Sequence, residues 1–155
     1  MPADLQVKLE ELLSQELALY KKLRTMVSRE IEAIVLDKDM DELLRILERK
    51  QDPISSLQLL ADSWQDVLSS ADVHAGRDEE TFWDRLSALV PEEGCAALEK
   101  LLQEARAAAD DLMKAEAEAL AELEKHAACL RAEIVSLAKG HQAAAHYAKM
   151  GGVSF

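Results

Sequence analysis

Acidic residues between positions 37 and 48 have the spacing of calcium ligands. Those that match the first, third, fifth and twelfth positions of a calcium-binding loop are Asp37, Asp39, Asp41 and Glu48. The sixth position of such a loop needs glycine for its sharp turn, whereas this chain has Glu42 there. Short acidic side chains are also the residues that cap the start of a helix. The run is therefore predicted to be a capped helix start, with Asp39 or Asp41 as the N-cap, and not a calcium site.

One histidine and one cysteine have the spacing of half a zinc site. His126 and Cys129 are three residues apart, so they share one face of a helix. The sequence contains no second ligand pair with a suitable spacing. Cys129 and Cys95 form no recognisable disulfide framework, and free thiols are expected in a reducing compartment. We expect no bound metal.

Enzymatic motifs are missing from the sequence. It contains no glycine-rich phosphate loop, no G-x-S-x-G and no cysteine paired with a plausible histidine and acid. A di-iron site in a helical bundle needs Glu-x-x-His pairs. The residues three places before the 4 histidines are instead Ala71, Leu123, Ala138 and Ala143. We therefore expect neither catalysis nor a cofactor.

Composition and charge indicate a helical protein without nucleic-acid partners. Of the 155 residues, 49% are hydrophobic and only 4% are aromatic, which favours long helices over strands. The net charge of -12 repels nucleic acid and anionic membrane surfaces. The first residues lack an apolar signal core, and no stretch reaches the roughly 18 uninterrupted apolar residues of a membrane span. We expect a cytoplasmic, single-domain protein that does not insert into membranes.

Apolar periodicity predicts helices along most of the chain. The predicted segments are about 3–36, 39–69, 78–89 and 91–139, with a kink or restart at 52–53. Gly140 is expected to end the last segment, so a helical domain of residues 1–139 would precede a flexible tail at 140–155. The predicted fold is all-α: an elongated antiparallel helical bundle, or helical hairpin, with long first and last helices.

Charged residues interrupt the apolar seams of the first two segments. Glu16 and Glu30 fall on the apolar row of the first segment, and Lys50 falls on that of the second. Two carboxylates on a seam predict that the bundle has one open side, or that a partner covers it.

The middle of the last segment is rich in alanine on several faces. Small residues let another helix approach closely, which makes this segment a candidate docking surface. The positions predicted to bind a partner are Leu101, Ala105, Ala108, Leu112, Ala119 and Leu123. A bulky charged residue in place of Ala108 or Ala119 is expected to weaken that binding and to leave stability nearly unchanged.

Two stretches of the first half carry a family resemblance: L-E-E-L-L-S-Q-E-L-A-L-Y-K-K-L and E-I-E-A-I-V-L-D-K-D-M-D-E-L-L-R-I-L-E-R-K-Q. Over residues 5–60 the chain resembles the FlgN family of flagellar export chaperones. In that family a long helix ends in an acid-rich turn, and the next helix carries a lysine near the position of Lys50. Pro53 and the alanine-rich last segment depart from the family pattern.

The resemblance implies a function. Such chaperones hold the C-terminal helices of hook-filament junction (hook-associated) proteins in the cytoplasm and deliver them to the cytoplasmic domain of the export gate. The docking surface would then bind the client, and Tyr147 is the candidate contact with the gate; the alternative is that its ring folds back onto the bundle. The alternative function is a structural scaffold, a helical bundle or coiled-coil homodimer whose open faces are closed by its own copy. A chaperone should be mainly monomeric or weakly dimeric.

Overall fold

The described residues form three long helices, one short helix and a π-helical segment. The structure, a computed structural model, describes the backbone of residues 2–151 and the side chains of residues 4–36, 38–129, 131–132 and 134–136. The elements are α1 (Pro2–Glu32), a π-helical segment (Ala33–Asp37), α2 (Met40–Ser70), α3 (Glu80–Ser87) and α4 (Glu92–Gly151). The described residues contain no strand, and the all-α prediction, with its long first and last helices, is confirmed.

Helix α1 lies between α2 and α4 and packs against both. Leu9 of α1 shares a core cluster with Leu68, near the end of α2, and with Leu98, near the start of α4. At the other end of α1, Ile34 and Leu43 form a second cluster that α4 also reaches. Successive long helices are therefore antiparallel, and α1 and α4 run parallel.

The turn between α1 and α2 follows the predicted boundary. Lys38 adopts a left-handed backbone with φ 49°, and the backbone N–H of Asp39 donates to the carbonyl of Ala33 at 3.0 Å. The side chain of Asp39 accepts a hydrogen bond from the backbone N–H of Glu42 at 3.1 Å. Asp39 is thus the N-cap of α2, which confirms the helix start predicted from its short acceptor side chain.

Helix α2 is continuous through Pro53, so of the kink or restart predicted at 52–53 the restart does not occur. A proline inside a helix costs roughly 3 kcal/mol, because it removes one hydrogen bond and its ring clashes with the preceding turn. Pro53 is buried, however, and the helix is continuous on both sides of it. Tertiary packing of the apolar face outweighs the local penalty.

Helix α4 extends past Gly140 to Gly151, so the prediction that Gly140 ends it is wrong. A glycine costs a helix only about 1 kcal/mol relative to alanine, and the residues that follow are rich in alanine. Since Leu123 packs beside the α1–α2 turn, about 40 Å of α4 continues beyond that turn. The side chain of Tyr147 and residues 152–155 of the predicted tail lie outside the described residues.

Gly94, in the first turn of α4, occupies a position with no room for a side chain. A Cβ there would lie 2.7 Å from Cγ1 of Val90 and would overlap the side-chain amide of Gln6. We expect Gly94→Ala to lower the free energy of unfolding by about 1–3 kcal/mol, because overpacking exceeds the gain in helix propensity. Urea unfolding measures this change.

Gly76→Ala is the control for this substitution. A Cβ at Gly76 would meet nothing closer than the carboxylate of Glu79 at 3.7 Å, an ordinary contact. It should therefore change the unfolding free energy by less than about 1 kcal/mol. Equal stabilities of both variants and the wild type would contradict the close packing of α1 on the start of α4.

Candidate functional site

A cleft opens between α2 and α4 near the α1–α2 turn. In the described part of the chain, no Cα atom of α2 lies within 8 Å of a Cα atom of α4, and their backbones are connected through α1 and the π-helical segment. Toward the opposite end Phe82 of α3 fills the space, with its ring centre 6.2 Å from that of Trp64. Near the turn a cleft of about 170 Å³ remains. The residues that line this α2–α4 cleft are Glu30, Ile34, Leu43, Leu47, Lys50, Glu116, Ala119, Leu120 and Leu123.

Leucine side chains form the rim of the α2–α4 cleft. Leu47 of α2 is 37% exposed and Leu120 of α4 is 57% exposed, whereas Leu43 at the floor is only 3% exposed. The apolar surface continues along α2 at Leu44 and Met40, which are also exposed. Met40, Leu44 and Leu47 have the spacing of one helix face. Such a row of exposed apolar side chains can cover the apolar face of a partner.

An ion cluster of three side chains lies beside these leucines and joins α1, α2 and α4. Nζ of Lys50 lies 2.5 Å from Oε1 of Glu30 and 2.6 Å from Oε1 of Glu116. Glu30 is 4% exposed and Lys50 is 6% exposed, while the side chain of Glu116 is 41% exposed. The Glu30–Lys50–Glu116 cluster is thus closed on the α1 side and open to solvent at Glu116.

Burial and pairing shift the pKa values within the cluster. Burial raises the pKa of Glu30 above its ordinary value, although the Lys50 ammonium opposes that shift. Burial disfavours the charged form of Lys50, but the two carboxylates outweigh it and raise the pKa of that ammonium. Oε1 of Glu30 is in ionic contact with Lys50 without a hydrogen bond of good geometry. The cluster therefore favours the charged form of Lys50, whereas burial disfavours the charged form of Glu30.

The raised pKa of Glu30 predicts how its charge affects stability. A carboxyl group with a raised folded pKa stabilises the fold fully below its unfolded pKa and loses this contribution as pH rises through the folded pKa. We therefore expect Glu30→Gln to change the unfolding free energy by less than about 1 kcal/mol near pH 7. The unfolding free energy of the variant minus that of the wild type should be more favourable to the variant near pH 7 than near pH 4.

Urea unfolding at both pH values tests this expectation. Glu32→Gln, at an exposed position of α1, is the matched control, since it makes the same chemical change outside the cluster. A loss of more than about 2 kcal/mol for Glu30→Gln near pH 7 would contradict a net cost of the buried charge.

The other seam carboxylate, Glu16, also has a partner within the chain. One guanidinium nitrogen of Arg77 donates to both carboxylate oxygens of Glu16 at 3.0 Å. The same guanidinium lies over the ring of Trp64, 5.4 Å from its centre. Both seam carboxylates therefore have a basic partner on another element, and Glu30 also lines the α2–α4 cleft.

The predicted docking positions on α4 mostly face the interior. Ala105 is 1% exposed and Ala119 is 3% exposed, so neither forms an open surface. Ala108 is half-buried. The three predicted leucines are partly buried and pack against the core clusters: Leu101, Leu112 and Leu123. Among the six, Ala119 and Leu123 line the α2–α4 cleft, whose rim residue Leu120 is not one of the predicted positions.

Several of the residues considered as metal ligands can be located in the described part of the chain. Asp39 caps α2, and Arg45 pairs with Glu42 at 3.2 Å. Cys129 is exposed, whereas Cys95 is half-buried and its thiol pKa is raised by burial and then by Glu92. No group of three or more His, Cys, Asp or Glu side chains among the described residues is placed to hold a metal ion.

The α2–α4 cleft offers apolar side chains beside carboxylates, a combination suited to binding an amphipathic segment. Across the described residues, no helix combines the length and the apolar character that crossing a membrane requires. Comparisons with protein-family models, with curated proteins and with solved structures gave no match for this chain.

Proposed function

We propose that the protein is a cytoplasmic export chaperone of the FlgN type, which binds the C-terminal amphipathic helix of a hook-filament junction protein and delivers it to the export gate. The observation that carries the proposal is the α2–α4 cleft, an open apolar site between helices of a bundle. The resemblance of residues 5–60 to FlgN chaperones supports the choice of client.

The geometry of the cleft suits a helical client. The backbones of α2 and α4 are not in close contact in the described residues, so an added helix could lie above the rim of the cleft between them. Its apolar side chains would pack on Leu47, Leu120 and Leu123. This is the helix-in-groove mode of peptide recognition, in which residues at helical spacing enter an apolar groove. The acidic surface would keep the chain soluble while the groove is empty.

The proposed client site differs from the docking surface predicted from sequence. Ala119 and Leu123 remain part of it, whereas Leu101, Ala105 and Leu112 contribute to the packing of α4. The gate contact at Tyr147 stays part of the proposal on the strength of the resemblance alone.

Binding of recombinant C-terminal segments of hook-filament junction proteins from the same genome tests the proposal. Calorimetry should give a 1:1 complex that Leu120→Asp weakens at least tenfold, since a charge would replace an apolar contact (about 1.4 kcal/mol per factor of ten). Leu59→Asp is the matched control, because Leu59 is 67% exposed on α2 outside the cleft. Equal binding by both variants, or no binding by the wild type, would overturn the proposal.

The scaffold alternative has a distinct outcome in the same experiment. Light scattering of the free protein would show a stable dimer that Leu120→Asp dissociates, and the client segments would not bind. A monomer that gains one client per chain supports the chaperone.

A further inference from the structure

The α2–α4 cleft has more negative than positive groups. One ammonium, that of Lys50, faces the carboxylates of Glu30 and Glu116. Lys50 donates a hydrogen bond to Glu116, while Oε1 of Glu30, though close to the ammonium, accepts none of good geometry. Glu30 is 4% exposed, so water has little access to its carboxylate. Within the described residues, the cluster thus sets one cation against two carboxylates, and one of these, Glu30, is buried.

We propose that the α2–α4 cleft takes a lysine or arginine side chain from the apolar face of the client helix, an inference that rests on the proposed function. The cationic group would lie beside Glu116 and reach toward Glu30, so that two positive charges match two carboxylates. Its aliphatic stem would run between Leu47 and Leu120, because long basic side chains bury their stems on apolar surface and leave the charge on polar groups.

The exposure of Glu116 favours a basic side chain over an apolar one. Its side chain is 41% exposed in the free protein, so a client that covers the cleft removes this carboxylate from water. An apolar group over Glu116 would leave its charge partly desolvated, with a counter-ion, Lys50, that it shares with Glu30. Such desolvation of a charge is unfavourable. A cation in the same place forms a charge-assisted hydrogen bond in surroundings of low dielectric. The net charge of -12 on the whole chain acts in the same direction.

The size of the cleft limits what enters it. A space of about 170 Å³ admits a side chain and not a helix backbone, which must lie above the rim. The cleft is therefore the specificity pocket for one client residue, and the leucines on its rim supply contact area that does not distinguish clients.

Two designed peptides test the inference with the full-length protein. Both are amphipathic helices with leucine at heptad positions, and they differ only in one central residue of the apolar face, lysine in one and methionine in the other. Calorimetry should give at least about tenfold tighter binding of the lysine peptide to the wild type. Glu116→Gln should abolish this preference, whereas Glu118→Gln, at an exposed position of the same helix, should retain it. Raising the salt concentration should weaken only the lysine peptide.

The outcomes separate the two proposals. Equal binding of both peptides to the wild type would overturn the inference and leave the proposed function standing. No binding of either peptide or of the natural client segments would overturn both. Because the peptide exchange is made on the wild-type protein, the comparison holds even if Glu116→Gln alters folding, which circular dichroism would reveal. A preference for lysine that Glu116→Gln leaves unchanged would place the contact elsewhere and also overturn the inference.

Discussion

Replacing Lys50 with methionine is expected to lower the free energy of unfolding by about 3–5 kcal/mol near neutral pH. Lys50 is 6% exposed and is the cation between two carboxylates from two other helices. Methionine fills similar space but leaves the charge of Glu30 buried without a counter-ion. Removing one partner of a buried ion pair costs more than the pair itself contributes, because the remaining charge has lost both water and its partner.

The cost of Lys50→Met should shrink as pH falls. Without the ammonium, the pKa of Glu30 rises further above its already raised value, since burial is then unopposed. A group with a raised folded pKa destabilises the protein above that pKa, and protonation relieves this effect as pH falls through it. The difference in unfolding free energy between wild type and variant should therefore be larger near pH 8 than near pH 5.

Urea unfolding of two further variants isolates the effect of the buried charge of Glu30. Lys114→Met changes an exposed lysine of α4 and should have an effect within about 0.5 kcal/mol. The double variant Glu30→Met with Lys50→Met should recover part of the stability lost by Lys50→Met alone, because no unpaired charge then stays buried. If Lys50→Met resembles Lys114→Met, or if the second change adds to its cost, the cluster does not hold the three helices together as described.

The parts of the fold that depend on neighbouring residues were predictable from sequence. The α1–α2 boundary and the N-cap at Asp39 follow from short acceptor side chains placed just before an apolar row. The long first and last helices follow from periodicity. The end of α4 was misplaced because a single glycine was given more weight than the helix-forming residues after it.

The partners of the seam charges could not be read from spacing. Glu16 is 61 residues from Arg77, and Lys50 is 66 residues from Glu116. Periodicity shows that a charge falls on an apolar seam, but the residue that neutralises it is chosen by how distant elements pack. The same limit applies to the cleft, because its rim joins Leu47 and Leu120 from two helices that are distant in sequence.

Alanine on a long helix can mark a docking surface or a contact within the fold, and at Ala119 it is a contact within the fold. A small residue allows close approach by a helix of a partner or by a helix of the same chain. Ala119 and Ala115 are each 3% exposed and cluster with Val27 of α1, which is fully buried. The helix that approaches closely is therefore α1. A charged residue at Ala119 is accordingly expected to lower stability, not to leave it unchanged.

Ala119→Glu is expected to lower the free energy of unfolding by more than about 3 kcal/mol. The longer side chain cannot fit beside Val27 without moving α1 from α4, and overpacking of this kind costs about 1–3 kcal/mol. Its carboxylate would also be desolvated near the carboxylates of Glu30 and Glu116, which adds the cost of burying an unpaired charge.

Thermal and urea unfolding measure the loss, with Ala117→Glu as the control because it makes the same change at an exposed position of α4. The control should change stability by less than about 0.5 kcal/mol. An Ala119→Glu protein as stable as that control would mean that α1 does not pack on this part of α4, and the α2–α4 cleft would then lose its floor.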